Sequence, residues 1–157
     1  MNDSQQYLIT DLDAIGVVNE RDFLQEGLGS LNESVGTSGA PVSWDTFVKT
    51  TLMIADAPDK GFVRKFSSIN GKPLAFMVAY ISTPPFKKPN LLVYAYYSNN
   101  KSKGVTKFAL EKAELWARAH ELKTITTYSY RMSGAAFRLF ESIWGFTRTA
   151  ILFSKSL

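Results

Sequence analysis

With 157 residues, 45% of them hydrophobic, the chain can bury one proper core and is expected to form a single domain over 1–157. It has no cysteine, which excludes disulfides, thiolate metal sites and a cysteine nucleophile and fits a reducing, cytoplasmic setting. The net charge of +4 conceals a division: residues 1–59 hold 2 Lys/Arg against 10 Asp/Glu and residues 60–157 hold 16 against 4, balances of −8 and +12.

In chain order, the polar start Met1-Asn-Asp-Ser-Gln-Gln lacks the basic-then-apolar order of a signal peptide, and an unprocessed, soluble protein is expected. Residues 7–10 read as a first strand. Ile15, Val18, Phe23, Leu24 and Leu28 then suggest helical turns on either side of a break, with Asp11 or Asp13 as cap. Residues 30–41, rich in Gly, Ser and Asn, read as a loop. Ser43 opens a better helix, carrying Phe47, Thr51, Leu52 and Ile54 until Asp56-Ala-Pro58 stops it. Strands at 62–69 and 73–81 flank Asn70-Gly71, a strong signal for a tight hairpin turn.

A rigid basic connector at 83–89 precedes a strand at 91–97, and a helix over 105–122 turns Val105, Phe108, Ala109, Ala113, Trp116 and Ala119 inward. Residues 124–130 are β-rich. Ser133 caps a second helix bearing Ala136, Leu139, Phe140, Ile143 and Trp144, Gly145 ends it, and 146–154 returns as a last strand. The order is β-α-α-β-β-β-α-β-α-β, an α/β domain with a mixed sheet and helices on both faces. No apolar run approaches the roughly 18–20 residues that span a bilayer, so no membrane role is expected.

The most informative stretch is Lys101-Ser-Lys-Gly104-Val-Thr106, between the 91–97 strand and the 105–122 helix. Free amides of a first helical turn and the helix dipole favour an anion there, and glycine lets it approach the backbone. Lys101, Lys103 and Lys107 add charge. The basic C-terminal two thirds calls for an anionic partner: cofactor phosphates, nucleic acid or an acidic protein. The sole histidine, His120, reads as structural or surface, so no Ser-His-Asp set forms, and neither a metal cluster nor a P-loop is present in the sequence.

Two motifs resemble the GNAT superfamily of N-acetyltransferases. Lys101, Gly104 and Thr106 fall on the first, fourth and sixth positions of its Gln/Arg-x-x-Gly-x-Gly/Ala loop. Ser133, Ala136, Leu139, Phe140 and Glu141 follow its Asn-x-x-Ala-x-x-Leu-Tyr-Glu helix, with Gly145-Phe146 one residue late. The resemblance implies a mixed, mainly antiparallel central sheet and acetyl-CoA as acyl donor to an amine of an unidentified acceptor. It implies cofactor contacts from Tyr96, Lys101, Ser102, Lys103, Gly104, Val105, Thr106, Ser133 and Phe140. The strands at 91–97 and 124–130 would part to admit the pantetheine arm, with a backbone N–H of the first polarising the thioester. Phe140 stands where the family's tyrosine protonates the departing thiolate, so Tyr128 or Tyr130 would supply the phenol. Glu33, or Asp45, is the acid placed to reach an acceptor.

Two other readings stay open. The fold could persist as an inactive scaffold in a larger protein assembly, with Phe140 or Trp144 filling the cleft. The basic portion, with Tyr94, Tyr96, Tyr97, Tyr128 and Tyr130, could bind nucleic acid through phosphate contacts and stacking.

Overall fold

The computed structural model describes residues 6–35, 41–84, 87–99, 104–128, 141 and 145–147. Their elements are β1 (Tyr7–Asp11), α1 (Ala14–Asn19), α2 (Arg21–Val35), α3 (Trp44–Ala55), β2 (Gly61–Ser68), β3 (Pro73–Ser82), β4 (Asn90–Ser98), α4 (Val105–Ala119) and β5 (Ile125–Thr127). The strands lie side by side in chain order, β1 to β4 antiparallel and β5 parallel to β4. The mixed, mainly antiparallel sheet is therefore as expected. Apart from Glu141, which is helical, the helix expected after Ser133 and nearly all of the strand expected at 146–154 lie outside the described residues; Phe146 and Thr147, which are described, are not in a strand.

Both faces of the sheet are covered. On one, Val105, Ala109, Ala113 and Ala117 repeat every four residues along α4 and pack on Phe62, Phe66, Met77, Leu91 and Val93. Alanine at three of these positions lets the helix lie close to the strands. On the other face, Val17 of α1, Leu24 and Leu28 of α2, and Phe47 and Ile54 of α3 meet Val63, Phe76, Val78 and Ala95. β3 lies between two strands and under both layers, which is why Leu74 to Ala79 is an unbroken apolar run.

Asp13 caps α1 by accepting the Gly16 N–H at 2.8 Å, and Ser43 caps α3 by accepting that of Thr46 at 3.2 Å. α2 continues to Val35, through the start of the stretch read as a loop from its composition. Packing overrides composition here: Leu31 continues the apolar stripe of Leu24 and Leu28. Asn32 holds the returning chain instead of breaking the helix, its side chain exchanging two 2.9 Å hydrogen bonds with the backbone of Val42.

The β2–β3 turn also differs from the expected Asn-Gly pair. Gly71 N–H donates to the Ser68 carbonyl at 2.8 Å, so Ile69 and Asn70 are the central residues, and Gly71 follows at φ 82°. This is a type I turn closed by a left-handed glycine. α4 stops three residues short of the expected end because Glu121 turns to φ 60° and Leu122 N–H returns to the Ala117 carbonyl at 2.9 Å.

Candidate functional site

β4 and β5 pair over three residues only, Leu91↔Ile125, Leu92↔Thr126 and Val93↔Thr127. β4 runs on to Ser98 against β3, while the next residue after β5, Tyr128, is out of the strand and 60% exposed. The strand expected at 124–130 is thus three residues long among those described. At the same level β4 is irregular: Val78 pairs with Ala95 and Ala79 with Val93, leaving Tyr94 as an extra residue. A bulge of this kind bends its strand and increases the local twist. Beyond it, the outer edge of β4 from Tyr94 to Ser98 has no strand partner among the described residues.

α4 starts at the far end of that edge. Gly104 stands before it at φ 93°, with no side chain capping the helix. The amides of Val105, Thr106 and Lys107 have no acceptor among the described residues. A Cβ at Gly104 would meet the Tyr7 hydroxyl at 3.4 Å. The Tyr96 hydroxyl and Thr106 Oγ1 lie 2.8 Å apart, tying the end of β4 to the first turn of α4, and burial raises the Tyr96 phenol above 10.0. Thr106, bulkier than the motif's small residue, thereby serves as a brace. The Val105 side chain is wholly buried, which leaves only its backbone to a ligand. A helix start with no side-chain cap and a left-handed glycine before it fit the phosphates of a CoA-type cofactor. Lys101, Ser102, Lys103, Tyr130, Ser133 and Phe140 lie outside the described residues.

On the opposite face of β4, Tyr97 donates its hydroxyl to Glu26 Oε1 of α2 at 3.0 Å, and its pKa is raised above 10.0, first by burial and then by that carboxylate. Tyr94 stacks on Phe47 at 6.1 Å and 18°, and Phe47 meets Trp44. Tyr94, Tyr96 and Tyr97 are half-buried, each with a hydrogen bond or ring contact inside the protein. Glu33 is exposed on α2, two turns beyond Glu26. Sequence reasoning named Glu33 and missed Glu26. The available signal was Gly27, a glycine within an apolar helical pattern, which marks close approach of helix and strand.

His120 is structural, as expected: it stacks on Trp116 at 3.6 Å, and its Nδ1 is 2.9 Å from the Trp116 carbonyl. Among the described residues no group of side chains could hold a metal ion, and no helix is long and apolar enough to cross a membrane.

No protein-family model matches the sequence, and no curated protein does. Solved structures do match. A predicted acetyltransferase from Clostridium acetobutylicum, with acetyl-CoA, superposes with a TM-score of 0.69 at 11% identity over 96% of each chain. The aminoglycoside 6'-N-acetyltransferase of Acinetobacter baumannii gives 0.68 at 12% identity over 97% of this chain and 99% of that one. Glucosamine-6-phosphate N-acetyltransferase from Arabidopsis thaliana gives 0.65 at 15% identity over 96% and 98%. The chain has the fold of the GNAT N-acetyltransferases.

Proposed function

We propose that the protein is an N-acyltransferase that moves an acetyl group from acetyl-CoA to an amine. The observation that carries this reading is that the β4–β5 pairing ends at Val93↔Thr127 among the described residues, beside the bulged Tyr94 and on the strand that leads to the start of α4. Acetyl-CoA supplies the acyl group as a thioester, and neighbours of the same fold are described with it or with CoA.

The amides from Ser102 to Thr106 hold the phosphates, helped by Lys101, Lys103 and Lys107 and by the positive end of the α4 dipole. Ser133 and Phe140 contact the cofactor, and Tyr96 holds the first turn of α4 through Thr106. The open edge of β4 accepts the pantetheine amides as an added strand would. Its backbone near Tyr94 directs an N–H at the thioester carbonyl. Glu33 removes a proton from the amine, and Tyr128 or Tyr130 returns one to the departing sulfur.

Calorimetry with acetyl-CoA tests this: binding in the micromolar range is expected, and none at several hundred micromolar by folded protein overturns it. Gly104→Glu should weaken that binding by more than about ten-fold, or 1.4 kcal/mol. Gly104→Ala carries the same backbone strain without the charge, so the difference between the two variants isolates repulsion of the phosphates.

A further inference from the structure

The Tyr97–Glu26 pair has no task in the reading above. Glu26 is exposed, and no lysine or arginine pairs with it among the described residues. Its position is nonetheless fixed. A Cβ on Gly27 would lie 2.1 Å from Phe76 Cε1 and 2.9 Å from Tyr97 Cδ1, so α2 sits on β4 with no room to slide inward. Phe23 closes the contact edge-on against Tyr97 at 5.8 Å.

The carboxylate therefore stands over β4 on the face opposite α4, beside the open edge. Tyr97 is three residues from the bulged Tyr94, which is about 10 Å along a strand rising 3.3 Å per residue. Aromatic rings line the way: Tyr97 at one end, Tyr94 stacked on Phe47 at the other. An apolar stem with a cation at each end suits such a surface.

We propose that Glu26, positioned by Tyr97, anchors a second positive charge on the acceptor. The acceptor is then a diamine or longer polyamine whose charged groups lie about 10 Å apart. The inference rests on the acyltransfer reading for the place of the reacting nitrogen, near Tyr94. Only the anchoring end is assigned to Glu26. The hydrogen bond from Tyr97 holds the carboxylate against β4, and Gln at position 26 would still accept it.

The test is calorimetry with diaminooctane, diaminopropane and octylamine, beside acetyl-CoA. The wild-type protein should bind diaminooctane more tightly than the two probes that cannot reach both ends. Glu26→Gln should weaken diaminooctane about five-fold, as for a solvent-accessible ion pair, and more at low salt. It should leave octylamine and acetyl-CoA unchanged. Tyr97→Phe keeps the charge and frees the carboxylate, and should give a smaller loss. In transfer assays kcat/KM should rise with diamine length, and Glu26→Gln should flatten that rise through KM. Equal binding of diaminooctane by wild type and Glu26→Gln overturns the proposal. If diaminooctane binds through Glu26 while acetyl-CoA does not bind, the anchor stands and the acyltransfer reading falls.

Discussion

Gly27 has no room for a side chain. An added methyl would enter the ring of Phe76, itself wholly buried, and neither α2 nor β3 can yield without disturbing the core. Gly27→Ala should lower stability by about 2 kcal/mol, the overpacking outweighing the better helix propensity of alanine; denaturant midpoints measure it. Tyr96 acts differently. Losing its bond to Thr106 in Tyr96→Phe should cost about 1 kcal/mol near neutral pH. Its folded pKa is raised above 10.0, so the folded state favours the protonated phenol. That contribution is complete below pH 10 and is lost as pH rises through the folded value, so Tyr96→Phe should show a flatter fall in stability under alkali. Of these residues, Gly104 was legible in sequence because its signal is local: glycine, basic neighbours and a helix beginning. The Tyr96–Thr106 and Tyr97–Glu26 bonds were not, since each joins elements that become neighbours only once the sheet exists.

Sequence pattern placed every described strand, but its order allowed two helices before β2 where the structure has three, and Ile15, Val18 and Ala119, read as apolar-face positions, are exposed; the other errors fell where tertiary contacts outweigh local preference. α2 runs on through Ser30 because Leu31 has a core to enter and Asn32 a backbone to hold. α4 ends early because Glu121 accepts a left-handed conformation that residue type alone does not announce. Caps read well, since they depend on three or four consecutive residues. Ser43→Ala should therefore lower stability by about 1 kcal/mol, measured by thermal or urea unfolding, through loss of the Thr46 N–H partner. β5 is the weakest described strand, held on one side by three residue pairs and half-buried throughout. Its amides should exchange with solvent faster than those of β2 and β3, and binding of acetyl-CoA along the adjoining edge should slow them.

Over the whole molecule, the division of charge follows the layers of the fold. The acidic first third supplies β1 and α1–α3 on one face, while the basic remainder holds the loop and α4 where phosphates are expected. Acetyl-CoA binding should therefore weaken as salt rises, and diamine binding at Glu26 should weaken too; titrations at two ionic strengths check both. Element order carried the α/β class and the mixed sheet into view from sequence. The parting of β4 from β5 was visible only by analogy, because a bulge at Tyr94 is a matter of register between strands. Strand order adds one consequence. β2, β3 and β4 follow one another through short connections, whereas β1 meets β2 only across three helices and β5 meets β4 only across α4. The centre of the sheet is thus stitched from near-neighbour chain segments, and of the two long-range seams among the described strands β1–β2 has five residue pairs and β4–β5 three. The frame can be made rigid at its centre while the doorway beside β5 stays the looser of its two outer joints.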